Sequence, residues 1–255
     1  MSSDSLIGWR ANGPLQASPG VAGVIITDVG SRNEDSPGEE AEALNNPNAN
    51  TGEPYDPTLV AKTLEYATDR LAGQVAGHGM EHVLRVLHSA RAIRAEVGGD
   101  RMVVDLAAIL HDVGDTKFHE GVERSAEFSR EILKELGATS NLIEHVAQIV
   151  DNISFRKPED AQPLSLEGQI VQDADRLDAL VAIGIVRTIE YGAATGRPFY
   201  SPDDATARTG IGHFHDKLFK LRDLMNTGAG RRLAVDRERF MQTFLDQFLL
   251  EYGEA

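Results

Sequence analysis

The 255-residue chain contains no cysteine, a single tryptophan and only 6% aromatic residues. Without cysteine there is no disulfide framework, no thiolate metal site and no cysteine nucleophile, and a reducing compartment is permitted. Basic residues are also scarce: 25 Lys and Arg face 40 Asp and Glu, a formal net charge of −15. A field of that sign repels phosphate backbones and anionic lipid, so neither a nucleic-acid polymer nor a membrane is expected as a partner. No stretch reaches the roughly 18 to 20 apolar residues that a spanning helix requires. The N-terminus, Met1-Ser2-Ser3-Asp4-Ser5, lacks the basic start and apolar run of an export signal. A soluble, cytoplasmic protein is expected. What is present is ordinary for one: 41% hydrophobic and 25% charged residues, with length enough to bury a core.

The chain divides into two unequal parts. Residues 1–53 hold two basic and eight acidic side chains, seven Gly, four Pro and six Asn. Such a stretch buries too little apolar surface to offset its chain entropy, and a disordered acidic N-terminal arm is expected, with Val24-Ile25-Ile26 as its one apolar run. From residue 54 to 255 apolar residues recur at three- and four-residue steps, the helical period. Asp56-Pro57 makes an N-cap and N1 pair for a helix over 57–72. Further helices are predicted over 78–97, 100–113, 121–136, 139–152, 165–192, 211–226 and 236–252, several of them closed by glycine. The expected fold is all-α, a bundle of seven to eight helices. An apolar stripe from Phe240 to Leu250 offers a surface for pairing, and leaves the oligomeric state open.

The chemistry-bearing residues fall on three of these helices. His82 stands in Gly77-His78-Gly79-Met80-Glu81-His82-Val83-Leu84-Arg85-Val86. His111-Asp112 closes the apolar run Leu106-Ala107-Ala108-Ile109-Leu110. Asp175 lies in Asp173-Ala174-Asp175-Arg176-Leu177-Asp178-Ala179. Imidazoles and carboxylates beside Leu and Ile are costly to bury unless paired or bound to a metal. A divalent ion would partner all of them at once, and ligands of this kind without thiolate suit Mn²⁺, Mg²⁺, Fe²⁺, Ni²⁺ or Zn²⁺.

In these motifs the sequence resembles the HD superfamily of metal-dependent phosphohydrolases, named for its adjacent His-Asp pair. The order His, His-Asp, Asp stands here as His82, His111-Asp112 and Asp175. More narrowly, the chain is similar to the bacterial stand-alone branch that includes manganese-dependent nucleotide diphosphohydrolases. That similarity runs through Leu110 to Phe118, Asp173 to Ala179, His213 to Leu218 and Leu224 to Thr227. It covers roughly residues 55–252 and departs at Gly79, where much of the family has an acidic residue. The resemblance implies an HD-type helical bundle, with His82, His111, Asp112 and Asp175 as ligands of a divalent ion, Mn²⁺ first. It further implies hydrolysis of a small phosphorylated substrate, a nucleotide, by metal-activated water.

Proton handling needs a carboxylate or imidazole close by. Asp115, three residues after Asp112, is the first candidate, and His78, four before His82, the second. Substrate charge needs local cations in so acidic a chain. Arg85 and Lys117 are the leading candidates, with Lys117 also counted in the reacting machinery, and Arg176 and Lys217 follow. Asp178, three residues after Asp175, is placed to orient a ligand, while Asp173 is assigned to the rim of the site. Two rival readings share these residues: a non-catalytic metal- and nucleotide-binding module, and an alarmone-type nucleotide hydrolase.

Overall fold

The computed structural model describes residues 54–72, 79–114, 122–153, 162–204 and 207–253. The expectations for the N-terminal arm, and for His78, Asp115 and Lys117, concern residues outside these ranges. Among the described residues all regular structure is helical: α1 (Pro57–Arg70), α2 (Met80–Val97), α3 (Arg101–Leu110), α4 (Ser125–Glu135), α5 (Ser140–Asn152), α6 (Leu166–Asp178), α7 (Val181–Thr195), α8 (Gly210–Asp216), a 3₁₀ helix (Leu218–Leu224) and α9 (Gly228–Tyr252).

The start signals act as their chemistry requires. Asp56 accepts hydrogen bonds from the amides of Thr58 and Leu59 at 2.8 and 3.2 Å, with Pro57 opening α1. Asp100 does the same for Met102 and Val103 at the head of α3, after Gly98 and Gly99 take the left-handed region at φ +86° and +97°. Thr227 caps α9 through the amide of Gly230.

Helix α3 is the axis of the bundle. Every residue from Met102 to Leu110 is buried, as expected of a helix that is apolar on all faces. Helices α1, α2, α5 and α6 pack around it, and α2 also lies along α6. The one buried charge within α3, Asp105, is met by a bidentate pair from Arg91 at 2.9 and 2.8 Å and by the Tyr55 hydroxyl at 3.0 Å. Its burial is thereby compensated.

Three predicted elements are corrected. The helix expected over 165–192 is two helices, broken at Ala179 and Leu180 and restarted at Val181 with φ +70°. The cause is a sharp turn: a Cβ on Gly184 would lie 2.1 Å from the carbonyl oxygen of Ala179, so the new helix can lean on the end of the old one only with glycine there. The helix expected over 211–226 is a short α8 followed by the 3₁₀ turn, and the last helix begins at Gly228 rather than 236.

A cluster of aromatic side chains joins the C-terminal elements. Phe199 meets Phe214, Phe244 and Phe248 edge-to-face at centroid distances of 6.0, 6.1 and 5.1 Å. The segment Arg197 to Pro202 is thus anchored on α8 and α9 through Phe199.

Candidate metal centre

Three helices deliver the site. His82 lies in the first turn of α2, His111 caps the C-terminus of α3, and Asp175 lies in the last turn of α6. His111 donates from Nδ1 to the carbonyl of Ala108 at 2.9 Å, which leaves its Nε2 lone pair facing the site. His82 donates from Nδ1 to Asp178 Oδ2 at 2.7 Å, with the same result.

The two Nε2 atoms meet 3.1 Å apart. Asp175 Oδ1 lies 3.4 Å from His82 Nε2 and 3.9 Å from His111 Nε2, while Asp112 places Oδ2 3.4 Å from His82 Nε2 and Oδ1 3.7 Å from His111 Nε2. Donor atoms of His82, His111 and Asp112 all lie within 4.8 Å of one another. Both imidazoles are buried, whereas the Asp175 side chain is 43% exposed and forms the mouth.

Two imidazole lone pairs cannot face each other at that distance without a cation between them or a proton on one. Burial alone would lower the His82 pKa, but Asp112, Asp175 and Asp178 overcome it and push the value up to about 11. The same imidazoles hold the carboxyl of Asp175 below its ordinary range against the cost of burial. The donor set therefore fits a divalent ion: nitrogen and oxygen donors converge with spacings that ligands about 2.1 Å from one ion would span.

Behind the cluster, Asp178 accepts from four donors. Besides His82 Nδ1 these are Arg85 Nε at 2.6 Å and Nη2 at 2.9 Å, and Arg187 Nη1 at 3.1 Å. Burial of this carboxyl would raise its pKa, yet His82 and Arg85 hold it well below the usual carboxylate range. Asp175 and Asp178, one helical turn apart, thus bracket the His82 ring from its two nitrogens.

Of the residues singled out in the sequence, the fold brings together His82, His111, Asp112 and Asp175, and it sets Asp178 and Arg85 directly behind them. Arg85, expected at the substrate, has its guanidinium committed to Asp178. Arg176 turns to the other side and donates to the carbonyl of Leu224. Lys217 lines a separate groove with His213. Asp173, assigned to the rim, is completely buried: it accepts from the amide and side chain of both Asn226 and Thr227 at 2.8 to 3.0 Å. His145 pairs with Ser165 Oγ at 3.0 Å.

Sequence reasoning missed Arg187. It is nine residues from Asp178, a separation that brings two side chains together only because the chain turns at Leu180.

Comparison with known proteins gives three concordant results. The HD domain family model matches residues 79–180. Bacillus subtilis YpgQ is 36% identical over 179 residues, spanning 69% of this chain and 85% of YpgQ. Among solved structures, an HD-superfamily hydrolase from Bacillus thuringiensis is 37% identical with a TM-score of 0.66, covering 77% of this chain and 97% of its own. YpgQ in complex with ADP is 30% identical with a TM-score of 0.64, covering 75% and 97%.

Proposed function

The chain belongs to the HD-domain family, and from that membership we propose that it is a metal-dependent phosphohydrolase acting on a small phosphorylated substrate, a nucleotide. The observation that carries this reading is the convergence of His82 and His111 Nε2, 3.1 Å apart, with carboxylate oxygens of Asp112 and Asp175. ADP bound to the related YpgQ supports the nucleotide.

His82, His111, Asp112 and Asp175 would hold the ion, with Mn²⁺ the first choice. When bound, such an ion supplies a water of lowered pKa and polarises a phosphoryl oxygen. The protein's own residues do the rest. Asp178 and the Ala108 carbonyl fix which nitrogen of each imidazole carries the proton, so that both lone pairs point inward. Arg85 and Arg187 hold Asp178 ionised and in place. Asp115, three residues beyond Asp112, takes the proton released when water attacks phosphorus, with His78 as its alternate. Lys117 balances charge on the phosphoryl oxygens.

The test is a screen of the purified protein with Mn²⁺ against nucleoside mono-, di- and triphosphates, reading phosphate and pyrophosphate release. Metal-dependent release from at least one nucleotide is expected. No release from any, with Mn²⁺ or with the other divalent ions, contradicts the reading.

A further inference from the structure

A second feature lies next to this cluster. Between α7 and α8 runs a groove of about 410 Å³. One face of α7 lines it at helical steps, through Gly184, Arg187 and Tyr191, and α8 faces them with His213 and Lys217. Arg197 enters from the connection between the two helices. Its backbone is fixed there, because its amide donates to the Gly192 carbonyl at 2.8 Å. Its own carbonyl sits where a Cβ on residue 192 would come within 2.8 Å, so only glycine admits this approach. The guanidinium then lies 5.4 Å from the centre of the Tyr191 ring.

The charge of the groove runs against that of the molecule. Among the described residues that line it are Arg187, Arg197, His213 and Lys217 and one carboxylate, Glu190, in a chain of net charge −15. Arg187 joins the groove to the metal cluster, since its other contact is Asp178, the carboxylate that holds His82. The cationic groove therefore connects to the His82 ring through Arg187 and Asp178, two side chains in series.

Resting on the hydrolase reading above, we propose that this groove binds the phosphate groups of the substrate beyond the one at the metal cluster, and that Arg197 and Lys217 select phosphate chains over single phosphates. A guanidinium and an ammonium contribute charge-assisted hydrogen bonds, each worth about tenfold or more in affinity.

The test is calorimetric titration of the full-length protein, freed of metal with chelator, with inorganic pyrophosphate and separately with orthophosphate. The expected result is pyrophosphate binding that is at least about tenfold weaker in an Arg197→Gln, Lys217→Gln double variant, and regained in part by Lys217→Arg in the Arg197→Gln background. With Mn²⁺ present, the double variant raises KM for a nucleoside triphosphate while kcat is retained. Pyrophosphate binding that is absent from the parent, or equal in parent and double variant, overturns the groove. Absence of hydrolysis by the parent overturns the phosphohydrolase reading instead, and leaves the titration to decide the groove on its own.

Discussion

His82 is held at both nitrogens, and each contact has a measurable consequence. Its Nδ1 proton goes to Asp178, so Asp178→Asn replaces a carboxylate that can only accept with an amide that can also donate, and the tautomer is no longer fixed. Metal affinity then falls by about 10- to 100-fold, the usual cost of losing such a partner, with the helical circular dichroism retained. Affinity equal to the parent's would show that Asp178 has no orienting role. Its Nε2 side titrates. Folded and metal-free, His82 keeps its proton up to about pH 11, whereas an unfolded imidazole loses it near about 6.5. The stabilisation is complete below the unfolded value and disappears as pH rises through the folded one. Thermal melts with chelator therefore fall across that window more steeply for the parent than for His82→Gln, and identical slopes would contradict the assignment. Metal binding strengthens over the same range because the ion displaces the proton.

At this scale the sequence named the four converging residues, through motifs that carry their order. It could not reveal that Arg85 pairs with Asp178, because the two lie 93 residues apart and meet only in the fold.

Among the elements, the junction of α3 and α4 is the most exacting. Gly114 follows His111-Asp112 by two residues and packs on the start of α4. Its amide donates to Ser125 Oγ at 3.0 Å, its carbonyl accepts from the amide of Arg124 at 2.9 Å, and a Cβ there would fall 2.4 Å from the backbone nitrogen of Ser125. Gly114→Ala must displace backbone, costing about 1–3 kcal/mol. For a chain of this size that lowers Tm by roughly 2–4 °C per kcal/mol, and metal affinity falls with it because Asp112 moves. An unchanged Tm would show that the turn yields freely. Helix existence was legible in the apolar periodicity and the caps, as at Asp56-Pro57. The break at Ala179 and Leu180 was not, because neither residue is a helix breaker. The turn depends on Gly184 resting against the Ala179 carbonyl, a contact between residues that a local pattern treats as one helix. Asp173 was misread for a related reason. Its helical-wheel position is away from Asp175, but what lies there is the head of α9, where Gly230 leaves room for the carboxylate.

For the molecule as a whole, the candidate metal centre draws on α2, α3 and α6, so an ion bound there would be linked to the fold. Mn²⁺ at about 100 times its Kd raises stability by about 2.7 kcal/mol, seen as a higher Tm that chelator reverses and that His111→Ala abolishes. The charge of −15 also acquires a local meaning. Carboxylates converge with the imidazoles at the candidate metal centre, and the cations of the α7 and α8 groove connect to it through Asp178. Overall composition has no means of expressing that arrangement, which arises only when residues 82, 111, 175 and 187 meet in space.

The most direct test of the central claim is metal content and Mn²⁺-dependent nucleotide hydrolysis, measured on the same preparations of the parent and of His111→Ala. The parent is expected to carry a divalent ion and to release phosphate or pyrophosphate, and the variant to do neither while its helical spectrum persists. A folded His111→Ala protein that keeps its metal and its turnover would contradict that claim.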